Sequence, residues 1–188
     1  MKRTFTFATL LAAVALLAGA CSDSDPAADG AFNDADVGFA QDMIPHHRQA
    51  VEMAELAADR STDPEILSLA DEIIAAQDPE IAMMTGWLEQ WGEDVPDDMS
   101  GMSGMDHGGD MSMPGMMSAK QMSDLVDSTG PEFDRLFLEQ MIEHHEGALE
   151  MAMSQQSDGE FADAIALARE IEQTQKAEIT RMRDLLAS

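Results

Sequence analysis

One segment of the chain is written twice, and that duplication restricts the fold more than any other feature. Asp36–Ala54 recurs without gaps as Asp134–Ala152, 98 residues further on. Asp36, Phe39, Met43, Ile44, His46, His47, Ala50, Glu52, Met53 and Ala54 all keep their identity in the second copy. At the same separation, Leu69-Ala70, Glu72-Ile73, Gln77, Glu80-Ile81 and Met84 match Leu167-Ala168, Glu170-Ile171, Gln175, Glu178-Ile179 and Met182. The apolar positions recur at helical spacing, so each copy reads as two helices. A lone helical hairpin cannot bury its apolar stripe, whereas two packed face to face can. The expectation is an all-α protein: a four-helix bundle built from a duplicated helical hairpin. Its domain spans 35–188, with hairpin one at 35–92 and hairpin two at 128–188.

Local signals set the element boundaries. A first helix is expected from Asp36 to Arg60. A second opens at Asp63-Pro64, a cap residue followed by proline at the first helical position, and runs to Trp91. Pro79 is expected to bend it, because the ring removes one helical hydrogen bond. Thr129-Gly130-Pro131-Glu132 opens a third helix to Gln156, and Asp158 caps a fourth to Leu186.

The first twenty residues read as a signal rather than as part of the bundle. Met1-Lys2-Arg3 is basic, Thr4 to Leu17 is apolar, and Ala18-Gly19-Ala20 leads to Cys21, the only cysteine. The run is too short and wrongly flanked for a spanning helix. The order resembles a bacterial lipoprotein signal over 1–20, cleaved before Cys21, whose thiol would carry lipid. The protein would then be exported and membrane-anchored, on the outer face of the cytoplasmic membrane or in the periplasm. A plain secreted protein with one stray cysteine is the alternative. Residues 21–34 are mostly Asp, Ala, Pro and Gly and read as a tether. No cysteine is left for a disulfide, so the core alone must hold the domain. Without Lys2 and Arg3, eight basic side chains face 37 acidic ones. That balance argues against nucleic acid as a partner and draws in cations, although it serves solubility equally well.

The repeated phrase places chemistry on the buried side. Advancing about 100° per residue from Met43, the positions Asp36, Phe39, His46, His47, Ala50, Met53 and Ala54 share one stripe about 120° wide. Glu52 falls opposite and reads as a solvated charge. The stripe must face the bundle interior, and it carries thioether, imidazole and carboxylate there. Each buried polar group without a partner costs roughly 1–3 kcal/mol, so partners are required. Glu80 shares a stripe with Leu69, Ile73 and Met84, and Glu178 does the same in the copy. A core network in which histidine donates to Glu80 or Glu178 would satisfy part of this need. A metal held by the histidines, with Asp36, Glu80, Asp134 and Glu178 behind them, would satisfy more.

Ligand softness indicates which metal. Di-iron bundles use Glu-x-x-His with hard oxygen ligands. Here Met43 and Met141 stand three residues before His46 and His144, and thioethers shift preference toward Cu(I) or Ag(I). The missing Glu-x-x-His also speaks against oxidase chemistry, so no catalytic residue is expected. A Met/Gly-rich insert at 97–122 points the same way. Met99, Met102, Met105, Met111, Met113, Met116, Met117 and Met122 alternate there with Gly, Ser, Asp and His107. Its glycines and Pro114 forbid a stable helix through most of it, so it reads as a flexible, disordered insert. Thioethers are durable soft ligands where cysteine oxidises. A plain linker or an oxidant sink is the alternative.

Phe39-x-x-x-Met43-Ile44-Pro45-His46-His47-x-x-Ala50-x-x-Met53-Ala54, repeated from Phe137 to Ala152 with Glu143 for the proline, resembles the signature of the bacterial domain-of-unknown-function family number 305. The resemblance covers Asp36 to Ser188. It implies a ferritin-like bundle, exported or anchored, and for some members copper binding through Met and His in copper resistance. Carried over residue by residue, it implicates Met43, His46, His47 and Met53, with Met141, His144, His145 and Met151. The expected function is therefore binding of copper, Cu(I) over Cu(II), for sequestration or delivery to a metal-transfer protein partner. The rivals are a structural or interaction bundle with a buried His–Glu network, and a ferritin-like metal oxidase.

Overall fold

The computed structural model describes residues 30–97 and 113–188. Its elements are α1 (Asp34–Glu55), α2 (Ala57–Arg60), α3 (Pro64–Trp91), α4 (Ala119–Asp127), α5 (Pro131–Asp158) and α6 (Ala162–Leu186). Helix α1 starts in a capping box: Asn33 accepts from the backbone of Ala35 and Asp36, while the Asp36 carboxylate accepts from Asn33 N. Such a cap contributes about 1 kcal/mol. Helix α3 opens with Asp63 accepting from Glu65 N and ends at Gly92, whose φ of 75° provides the left-handed turn. It runs through Pro79 without interruption.

The first helix is interrupted at Leu56, short of the expected end at Arg60. Leu56 keeps right-handed helical dihedrals, so α2 prolongs α1 after a single irregular residue.

Four long helices form the bundle. Helix α1 pairs with α3, α5 pairs with α6, and α1 and α5 meet across the centre. Residues late in α1 pack with residues early in α5, and the reverse, so the core divides into two apolar clusters. One holds Ala50, Met53, Leu69, Ile73, Phe133, Phe137, Met141 and Met182. The other holds Phe39, Met43, Ile44, Met84, Leu88, Ala148, Ala152 and Ile171. The middle of α1 and α5 lies between them, and its His46, His47, His144 and His145 have no solvent exposure at all. A polar layer therefore separates two dry ones.

Two expected irregular regions are partly ordered. Phe32, assigned to the 21–34 tether, stacks on Trp91 with ring centroids 4.6 Å apart, so the end of the tether belongs to the fold. The 97–122 insert is also not flexible to its end. Met113 to Ser118 lies against the bundle, and α4 begins at Ala119 behind a Ser118–Gln121 capping box. The signal at 1–20, Cys21, Met99, Met102, Met105, His107 and Met111 lie outside the described residues. Among those described, no helix is long and apolar enough to cross a membrane.

Candidate metal centre

Adjacent histidines point about 100° apart on a helix, and the bundle uses both directions. One ring from each copy faces the other copy: His46 and His144 meet with centroids 3.8 Å apart, tilted by 39°. The second ring of each pair faces its own hairpin partner. His47 Nε2 lies 2.7 Å from Glu80 Oε2, and His145 Nε2 lies 2.6 Å from Glu178 Oε2. The two halves are near copies in this respect.

Symmetry fails at His46. Its Nε2 lies 3.0 Å from the carbonyl oxygen of Pro114, which belongs to the insert. A carbonyl only accepts, so His46 Nε2 carries the hydrogen and its Nδ1 carries the lone pair. The Glu80 and Glu178 carboxylate oxygens take the same place beside His47 and His145, and a neutral ring that donates to them from Nε2 keeps its lone pair on Nδ1. The Nδ1 atoms of His46, His47 and His145 have no hydrogen-bond partner, and neither nitrogen of His144 has one. Five buried imidazole nitrogens are thus unsatisfied.

Electrostatics keep the central pair neutral. Burial lowers the His46 pKa to about 3, with repulsion between His46 and His47, were both protonated, adding to the effect and the Pro114 carbonyl opposing it. Burial likewise holds His144 well below the usual range, followed by repulsion from His46, His145 and His47, and opposed only by the approach of the His46 backbone, which falls short of hydrogen-bond geometry. A neutral imidazole is the form that binds a metal.

The strap Pro114–Met117 is built onto this layer. The Gln49 side chain pairs with both backbone groups of Met117, accepting from its N at 2.7 Å and donating to its O at 3.0 Å. Gly115, at φ 75°, and Gly147 let the strap and α5 touch backbone to backbone. A Cβ on Gly147 would stand 2.1 Å from Pro114 O, and one on Gly115 would stand 2.8 Å from His144 O. The other root of the insert is held next door, where Arg48 Nη1 donates to the carbonyls of Pro96 and Asp97.

The remaining candidates are distributed as follows. Met43, Met53 and Met141 are fully buried in the clusters flanking the layer. Met151 is half-buried, in a cleft it shares with Phe39, Asp42 and Gln155. Met117 is a core residue, while Met113 and Met116 are partly exposed beside it. Asp36 engages no histidine. It is fully buried and accepts from Asn33 N, Glu160 N, Phe161 N and Gln155 Nε2, tying the start of α1 to the turn before α6. Asp134 likewise bonds no histidine, and its Oδ1 has no partner. Among the described residues no three His, Cys, Asp or Glu side chains converge into a metal cage. The layer offers imidazole nitrogens, with thioethers one turn away. Sequence reasoning missed Arg48, Gln49, Pro114 and Gly147. For all but Pro114, which lies outside the repeat, the signal lay where the copies differ, since Arg48 and Gln49 correspond to Glu146 and Gly147.

Solved structures of similar proteins share the fold. A DUF305 protein from Streptomyces coelicolor is 36% identical with a TM-score of 0.72, over 86% of this chain and 94% of that one. A DUF305 fragment from Deinococcus radiodurans is 30% identical with a TM-score of 0.71, over 82% and 97%. CopM in its Cu(II)-bound form is 35% identical with a TM-score of 0.68, over 81% and 95%. CopM has also been solved with Cu(I), with Ag and in the apo form. No curated protein matches the chain. The family model described as "Domain of unknown function (DUF305)" matches residues 36–186, and the chain belongs to that family.

Proposed function

We propose that the protein binds copper at its histidine layer, as Cu(I) in preference to Cu(II), for sequestration or delivery rather than turnover. The observation that carries this reading is the set of five unpartnered imidazole nitrogens in a fully buried layer. In His46, His47 and His145 the Nε2–H is already held by an oxygen and the Nδ1 lone pair is left over, which is how metal-binding histidines are oriented. Met43 and Met141, one turn before His46 and His144, add soft donors suited to Cu(I) or Ag. CopM, similar along most of its length, supports the same metals. Export with lipid on Cys21 would put the site where copper is met outside the cytoplasm, and a metal-transfer protein would be the partner in delivery.

A His–Glu network without metal is the second reading. The short His47–Glu80 and His145–Glu178 bonds favour it, but it gives the five nitrogens no role. Titrating the mature protein with Cu(I) against a competing chelator separates the two. The copper reading expects replacement of all four histidines by alanine to abolish the tight site and the thermal stabilisation that binding confers. Unchanged affinity and stoichiometry in that variant would refute it.

A further inference from the structure

We infer that the strap Pro114–Met117 is a positioning element for His46, set in place by Gln49 and by the absence of a side chain at Gly147. The inference rests on the copper reading and adds to it the residues that prepare one ligand. At His47 and His145 the ring is oriented from within the same hairpin, by Glu80 and Glu178. The equivalent service for His46 comes from the insert, through the Pro114 carbonyl at 3.0 Å. His144 has no such partner on either nitrogen.

The strap has no regular secondary structure of its own to hold it. Besides the burial of the Met117 side chain in the core, two contacts hold it, and both use the same position of the repeat. In the first copy Gln49 binds the Met117 backbone in both directions. In the second copy Gly147 leaves the space that Pro114 and Gly115 fill. A glutamine in place of Gly147 would put side-chain atoms where the strap lies, and a glycine in place of Gln49 would remove its anchor. The divergence of the two copies at this position therefore serves one act, the docking of the insert on His46. The layer is made of two unlike halves, one histidine oriented from outside the repeat and its counterpart left open.

Nitrogen-15 NMR of the histidine side chains in the metal-free protein at neutral pH tests this directly. The wild type is expected to show His46 as the single tautomer with hydrogen on Nε2. Two variants disturb the strap without touching a histidine. Gln49→Ala removes its anchor. Gly147→Ala places a methyl against Pro114 while raising the helix propensity of α5. In both, His46 is expected to become a mixture of tautomers while His47 and His145 stay as they were, a selectivity that general loosening of the bundle would not produce. Cu(I) affinity is expected to fall about 10–100-fold with stoichiometry unchanged. A single His46 tautomer in both variants, or a mixture already in the wild type, would overturn the inference. If the tautomers shift as expected and the wild type binds no copper, the positioning role stands and the copper reading falls.

Discussion

Acidifying the metal-free protein should destabilise it through His46, by an amount the structure sets. The side chain has no exposure, and burial lowers its folded pKa to about 3 from an ordinary value of 6.5. Between those values the unfolded chain binds a proton that the folded protein refuses. Stability is therefore complete above pH 6.5 and is lost as pH falls, at roughly 1.4 kcal/mol per unit, until the loss levels off near the folded pKa. From about pH 6.5 to about pH 4.5, His46 alone removes roughly 2–3 kcal/mol. His144 shifts in the same direction and adds to the loss. Against a total stability of about 5–15 kcal/mol this is a large fraction. Partial neutralisation of the formal −27 charge works the other way by relieving self-repulsion, so the comparison must be internal. Urea denaturation at the two pH values should be run on the wild type and on His46→Gln, whose amide can still donate to Pro114. The wild type should lose roughly 2–3 kcal/mol more than the variant. Parallel losses in the two proteins would refute the reasoning.

Other substitutions separate binding from stability. His144→Leu replaces a ring with two unsatisfied nitrogens by an apolar group, so it should raise metal-free stability by about 1–3 kcal/mol, read as a higher melting temperature, and abolish stabilisation by Cu(I). Glu80→Ala and Glu178→Ala each release one histidine Nε2–H and should weaken Cu(I) binding about 10-fold, by similar amounts, in chelator competition. Asp36→Ala strands three backbone N–H groups and the Gln155 amide, so the urea midpoint should report a loss of at least about 2 kcal/mol with copper affinity unchanged.

The repeat made the bundle legible because each matched position carries the same structural demand in both copies. Phe39, Met43, Ala50 and Met53 fall on one helical face, and that face is buried. The Asp63-Pro64 pair marks the start of α3 through chemistry confined to a few residues. Glu80 and Glu178 stood out as histidine partners because they are acidic residues on apolar stripes. Asp36 sits on the buried stripe too, but at a helix start, where free backbone N–H groups claim a carboxylate before a distant imidazole can. The strap was hidden for a different reason. Its glycines and proline correctly forbid a helix, but docking depends on Gln49 and Gly147, and comparison of repeats rewards agreement and passes over positions that differ. Leu56 gives no breaker signal, and nothing in the structure explains the interruption it marks.

The clamp formed by Arg48 and Gln49 has an evolutionary consequence. These adjacent residues hold both roots of the insert, at Pro96-Asp97 and at Met117, on one turn of α1. Closing the intervening chain grows harder only with the logarithm of its length, about 0.6 kcal/mol for each doubling. Methionine-bearing residues can thus be added or deleted between Asp97 and the strap at Pro114 with little effect on the bundle. The architecture works as a socket: the scaffold stays constant while the length and donor content of the tract plugged into it are free to change.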